Sequence, residues 1–403
     1  MKISDRAEKT QASPIRKLVP LADAAKKAGV RVYHLNIGQP DLPTPKPSIQ
    51  ALKNWKGDVL AYGHSQGQDF LIETLLGYYR SKGLDVDKQD LFITTAGSEA
   101  IIFAMTAVAD PGDEIIVFEP FYTNYNGFAS QASVNLVPIT LSVDNGFHLP
   151  EPSVIEAKIT RKTKAILFCS PNNPTGTVYT KKEMEQLADI VKKHGLFLLS
   201  DEVYREFIYD KSVQHTSVLQ LEGVADRAVL MDSVSKRFSM CGARIGHLVT
   251  KNRDLWNAFL KFGQARLCPP QIEQFAVDAA YKMDPKDYIV PMIDEYRVRR
   301  DTVFSHLQNI SGVKTFLPEG AFYLMAKLPV DDADSFAGWM LSDFPGVAGL
   351  KETVMVAPGS GFYATPGMGK NEVRIAYVLK QQDLERAMEL LAKGLELYPG
   401  RLG

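Results

Sequence analysis

The chain has 403 residues, 45% of them hydrophobic and 23% charged, an ordinary globular composition that predicts two domains at about 100 to 200 residues each. Its 46 Lys and Arg nearly cancel its 47 Asp and Glu, for a net charge of -1, which argues against nucleic acid or an acidic membrane surface as a partner of the whole chain. The three cysteines are widely spaced and lack a CxxC pair, so they support neither a disulfide framework nor a zinc site, and a reducing, cytoplasmic compartment suits them.

In chain order, the opening stretch MKISDRAEKTQASPIRK is polar and lacks the apolar centre of a signal peptide. YHLNIGQPDLPTP then reads as one short strand followed by a Pro-rich extended segment. From Leu91 onward, short apolar and β-branched runs alternate with helical patterns. LFITT precedes SEAIIFAMTAVA, EIIVFEP follows, KAILFCS precedes KKEMEQLADIVKKHG, and then come LFLLSDE, AVLMDS and RIGHLVT. The run from Ala100 to Ala109 is about half the ~20 residues that cross a bilayer, so no membrane span is expected. The alternation predicts an α/β unit, a mostly parallel sheet covered by helices.

Pro269-Pro270 and Pro285 mark breaks, and a charged helical stretch runs from about Asp287 to Leu307. GVKTFLPEGAFYLMAKL reads as a hairpin, NEVRIAYVL as a further strand, and Gln381 to Leu397 as a terminal helix. These predict a smaller α+β domain. The expected division is 1–45 for an N-terminal arm that joins the small domain, 46–285 for the large domain, and 286–403 for the small one.

Open α/β sheets bind ligands beyond the carboxyl ends of their strands. The residues just after the expected strands are Thr95-Ala96-Gly97-Ser98, Glu119-Pro120-Phe121-Tyr122, Ser170-Pro171-Asn172-Asn173-Pro174, Asp201-Glu202-Val203-Tyr204 and Ser233-Val234-Ser235-Lys236. Together they bring an anion-binding helix start, an aromatic face, an amide, a carboxylate, a phenol and a lysine to one edge. Rival chemistries lack their signatures. The seven histidines have no metal-ligand spacing, G-x-S-x-G and the P-loop pattern are missing, and GSGFYA is followed by Thr365-Pro366-Gly367 where a dinucleotide-binding helix would have to begin.

The motifs SPNNPTG, SDEVY, SKRFSMCGARIG, APGSGF and VRIAY occur in that order, and with them the chain resembles the fold type I pyridoxal-phosphate aminotransferases, in particular the bacterial aspartate aminotransferases of the thermophile type. The similarity runs from NIGQPD to Arg374. It implies a large-domain sheet of the seven-stranded type and pyridoxal 5'-phosphate as cofactor. Lys236 matches the lysine that forms the Schiff base and then moves the substrate proton. Asp201 matches the carboxylate that keeps the ring nitrogen protonated, and Asn173 and Tyr204 match the residues bonded to the ring's phenolic oxygen. Tyr122 takes the place of the aromatic that stacks on the ring. Gly97, Ser98 and Glu99 match the backbone donors to the phosphate, with the Glu99 carboxylate expected to turn away, and Ser233, Ser235 and Arg244 complete that cradle. Cys241 and Ala243 depart from the common pattern, lying between these anchors.

For the substrate, Arg374 matches the arginine that grips the α-carboxylate, and Gly38 a backbone position that closes over it. Tyr62 matches a tyrosine that reaches the cofactor phosphate of the other subunit, which implies a homodimer with shared active sites. The expected activity is a ping-pong transfer of an amino group between an L-amino acid, with aspartate leading, and a 2-oxo acid, 2-oxoglutarate. Arg16 is a candidate for favouring an acidic side chain, or else a surface or dimer contact. Alanine or aromatic donors, a carbon–sulfur lyase on the same scaffold, and a ligand-sensing regulator remain the alternatives.

Overall fold

The computed structural model describes residues 1–11 and 13–402. Its strands are β1 (Arg31–His34), β2 (Leu91–Thr95), β3 (Glu114–Glu119), β4 (Asn135–Thr140), β5 (Thr163–Cys169), β6 (Phe197–Asp201), β7 (Ala228–Ser233), β8 (Ile245–Val249), β9 (Lys314–Thr315), β10 (Tyr323–Lys327), β11 (Glu352–Met355), β12 (Ala357–Pro358) and β13 (Glu372–Ala376). Seven of them form one sheet in the order β2-β8-β7-β6-β5-β3-β4, in which β8 runs against both neighbours and the other pairs are parallel.

Alternate residues of these strands feed two apolar layers. Ile166, Phe168, Leu198 and Leu230 enter one, and Ala165, Leu167, Leu199 and Val229 the other. Both faces are covered, so the strands read as continuous apolar runs, and each fully buried Leu, Ile or Phe contributes about 1.5–3 kcal/mol. The helix Lys181–His194 shows how the cover is specified. Thr180 and Glu183 form a reciprocal capping box, Gly195 ends the helix in the left-handed region at φ 67°, and Met184, Leu187, Ala188 and Val191 face the sheet.

Strand β4 does not stand out in the sequence, because Pro138 interrupts its apolar pattern. It pairs with β3 alone, at the sheet edge, where a residue without an N–H is tolerated.

A second sheet, β12-β13-β10-β9, is antiparallel, and β1 pairs in parallel with β11. These strands share an apolar cluster with the helices Ile289–Gln308 and Gln381–Leu397. After β1, the Leu35 N–H donates to Met355 O and the Ala376 N–H donates to Leu35 O. The segment Asn36–Gly38 is thereby carried to the end of β13, next to Arg374. Among the described residues no helix is long and apolar enough to cross a membrane.

Candidate active site

A cavity of about 530 Å³ opens where the carboxyl ends of β2, β5, β6 and β7 meet the start of β8. Gly97, Ser98, Tyr122, Asn173, Asp201, Tyr204, Ser233, Ser235, Lys236, Arg244, Gly38 and Arg374 all line it, as does Arg16. Two expected residues lie outside this lining. The Glu99 carboxylate accepts the Thr95 N–H at 2.8 Å and pairs with Arg266 at 3.2 Å. Tyr62 is 81% exposed on a neighbouring surface.

The end of the cavity at Gly97 and Ser98 is shaped by backbone geometry. Ala96 sits at φ 61° and its N–H donates to Arg244 O, which starts the helix Ala96–Val108 against β8. A Cβ on Gly246 would come within 2.5 Å of the Ala96 carbonyl carbon and 2.7 Å of the Gly97 nitrogen, so only glycine lets the strand pass this close. The first turn of that helix leaves N–H groups without intrahelical partners, and its dipole favours an anion there. Ser233 and Ser235 hold their hydroxyls 2.9 Å apart beside it.

Lys236 lies in the short helix Val234–Arg237, and its Nζ donates to Gly38 O at 2.8 Å, with Cys241 Sγ 3.8 Å away. Asp201 ends β6. Tyr125 donates to its Oδ2 at 2.8 Å and the Val203 N–H to its Oδ1 at 3.3 Å. Burial nevertheless pushes the Asp201 carboxyl up to about 6, against the pull of those hydrogen bonds. A buried carboxylate of this kind is a ready partner for a protonated ring nitrogen.

Arg374 is 2% exposed and has no carboxylate at ion-pair distance among the described residues. It donates to Asn173 Oδ1 at 3.0 Å and to Asn36 O at 2.6 Å, lies over the rings of Tyr323 and Phe362, and leaves Nε without a partner. Burial lowers its pKa below the ordinary guanidinium value. A buried cation short of one acceptor is a receptor for a carboxylate.

Tyr323 lines the cavity and Tyr125 supports Asp201 from behind it, neither having been singled out by sequence. Tyr125 reads as core within an aromatic run. Tyr323 reads as one apolar position of a strand, and only its pairing with β13 brings it under Arg374.

Behind the site, Arg237 is fully buried. It donates to Asp232 Oδ2 at 2.7 Å and to the Tyr281 hydroxyl, and lies 3.7 Å from Glu206 Oε1. Burial alone would raise the Glu206 carboxyl, but the Arg237 and Lys82 cations outweigh it and hold it at about 2. Asp232 Oδ1 also accepts the Ser233 N–H, so the ion pair closes the loop that carries Ser233, Ser235 and Lys236. Removing one partner of a buried pair leaves the other charge unmatched. Arg237→Met is expected to destabilise the fold by about 3–5 kcal/mol, read as a lower urea midpoint, with Arg237→Lys losing less.

A sequence model of the family described as aminotransferase class I and II matches residues 30–391. A probable aspartate aminotransferase of Methanocaldococcus jannaschii is 32% identical, over 98% of this chain and 100% of that protein. Among solved structures, a single mutant of the Thermus thermophilus aspartate aminotransferase superimposes with a TM-score of 0.88 at 28% identity, covering 98% of this chain and 100% of that one. The alanine aminotransferase of Pyrococcus furiosus also reaches 0.88, at 30% identity, covering 97% and 99%.

Proposed function

The chain belongs to the class I and II aminotransferases, and from that premise we propose that it holds pyridoxal 5'-phosphate and moves an amino group between L-aspartate and 2-oxoglutarate. The observation that carries this reading is one cavity that presents a lysine amine, a buried carboxylate and a buried guanidinium with no counter-ion among the described residues. The donor set suits the cofactor. The helix start at Gly97 and Ser98, the hydroxyls of Ser233 and Ser235, and Arg244 would take the phosphate, Asp201 the ring nitrogen, Asn173 and Tyr204 the phenolic oxygen, and Lys236 the aldehyde.

When bound, pyridoxal phosphate supplies an electron sink for a carbanion at the substrate Cα. Lys236 Nζ then holds and returns the proton at that carbon. Asp201 keeps an anion where a ring nitrogen must stay protonated. Arg374 orients the substrate by two parallel N–H donors to its α-carboxylate, a geometry lysine lacks. Tyr122 provides the aromatic face, with its hydroxyl accepting from Asn124.

Aspartate is favoured because the 32% identical relative carries that name and because Arg16 lines the cavity with no carboxylate at ion-pair distance among the described residues. A homodimer is part of the reading. Val59, Leu60 and Tyr62 are 76%, 60% and 81% exposed, an apolar patch that a second copy would cover while placing Tyr62 at its cofactor phosphate. A cytoplasmic location suits the three free thiols.

The test is the visible absorption of the cofactor-loaded protein as single amino acids are added without an acceptor. Aspartate and glutamate are expected to bleach the aldehyde band at lower concentration than alanine or phenylalanine. A stronger response to alanine would overturn the choice of aspartate, and pyruvate with ammonia in the absence of acceptor would indicate a lyase. In the same assay Arg374→Lys keeps the starting spectrum and weakens aspartate by roughly 10- to 100-fold.

A further inference from the structure

Tyr323 begins β10, opposite Ala376 of β13, and so stands diagonally across from Arg374 on the same face of the sheet. Among the described residues its hydroxyl has two hydrogen-bonding neighbours. The Tyr204 hydroxyl is 2.9 Å away, and Gly38 O is 3.5 Å away. The same Gly38 carbonyl accepts Lys236 Nζ at 2.8 Å. A Cβ on Gly38 would fall within 1.8 Å of the Tyr323 hydroxyl oxygen, so this packing requires glycine there.

The Tyr204 oxygen lies nearer than the Gly38 carbonyl, which makes it the better acceptor for the Tyr323 proton. Once Tyr323 donates to the Tyr204 oxygen, the Tyr204 hydroxyl has its own proton free to point into the cavity. Without that donor, Tyr204 has no other hydrogen-bonding side chain on its hydroxyl among the described residues.

We propose that Tyr323 is a positioning residue that turns the Tyr204 proton toward the phenolic oxygen of the bound cofactor, with the short separation of the two hydroxyls setting the direction. The inference rests on the reading of Tyr204 given above. The pair is enclosed by Arg374 on β13, Tyr122 after β3, Cys169 on β5, Asp201 on β6 and Lys236, with Tyr296 and Tyr377 on the small-sheet side.

A hydroxyl donating to an ionised phenolic oxygen draws off negative charge that would otherwise hold a proton on the lysine nitrogen. Tyr323→Phe keeps the ring under Arg374 and removes only the donor. It is expected to raise the pH midpoint of the visible absorption change of the cofactor-loaded protein by roughly half a unit, the size of a polarised neighbour in a hydrogen-bond chain. Tyr204→Phe raises it further, and adding Tyr323→Phe to Tyr204→Phe moves it no more, because the relay ends at Tyr204. An unchanged midpoint in Tyr323→Phe, or the same increment in both backgrounds, overturns the proposal. A wild-type protein that develops no visible band overturns the cofactor assignment beneath it.

Discussion

Lys236→Ala is expected to lower turnover by at least about 10⁴-fold while leaving the fold intact, because on the proposed reading it removes both the amine that would hold the cofactor and the group that would move the substrate proton. The lysine side chain lines the cavity. Its polar contacts are Gly38 O and Cys241 Sγ, both at the cavity. The loop is held instead by its neighbours, through Arg237 on Asp232 and the Ser233 N–H on the same carboxylate, so the variant should unfold at a urea concentration close to wild type. Borohydride reduction of the loaded wild-type protein, followed by peptide mass analysis, should place the added mass on the peptide containing Lys236. Activity within tenfold of wild type, or label on another lysine, would remove Lys236 from the mechanism.

Asp201→Asn is expected to act in opposite directions on stability and activity. The folded Asp201 carboxyl is raised from 3.8 to about 6, so folding favours its protonated form. Its contribution to stability is present at low pH and is lost as pH rises through about 6. At pH 7.5 the cofactor-free protein therefore carries an unfavourable buried anion worth on the order of 2–3 kcal/mol, from about two pKa units at 1.36 kcal/mol each. Asparagine is neutral throughout. The cofactor-free variant should be more resistant to urea than wild type at pH 7.5, and the difference should shrink toward pH 5. On the proposed reading turnover should fall by about 10³-fold, since no anion would then hold the ring nitrogen protonated. Equal urea midpoints at both pH values would show that Asp201 is not the strained group the burial implies.

Much of the site was legible because strand ends in a parallel sheet are marked in sequence by the polar residue that follows an apolar run. Asp201 after FLLS and Ser233 after VLMD are such points, and both line the cavity. The edge strand β4 was not legible, since Pro138 breaks its pattern and the sheet edge asks little of it. Contacts made by long-range pairing were equally hidden. Tyr323 meets Tyr204 across 119 positions of sequence, and Arg374 meets Asn173 across 201. Period and propensity carry no record of either. The direction of the Glu99 carboxylate could be argued from charge, because a phosphate site repels it, but its partner Arg266 could not.

The reversed strand β8 has a mechanical consequence. A parallel neighbour would need a crossover before returning to the sheet, and would bring its first residue to the far rim. Running backwards, β8 starts on the rim where β7 stops, so Lys236 and Arg244 belong to one short span between Ser233 and Ile245. Both ends of that span are hydrogen-bonded into the sheet, and its middle is fastened to the buried Asp232. On the proposed reading, the amine that would take the cofactor aldehyde and the guanidinium that would take its phosphate therefore share one span of chain, tied at both ends to the same pair of strands.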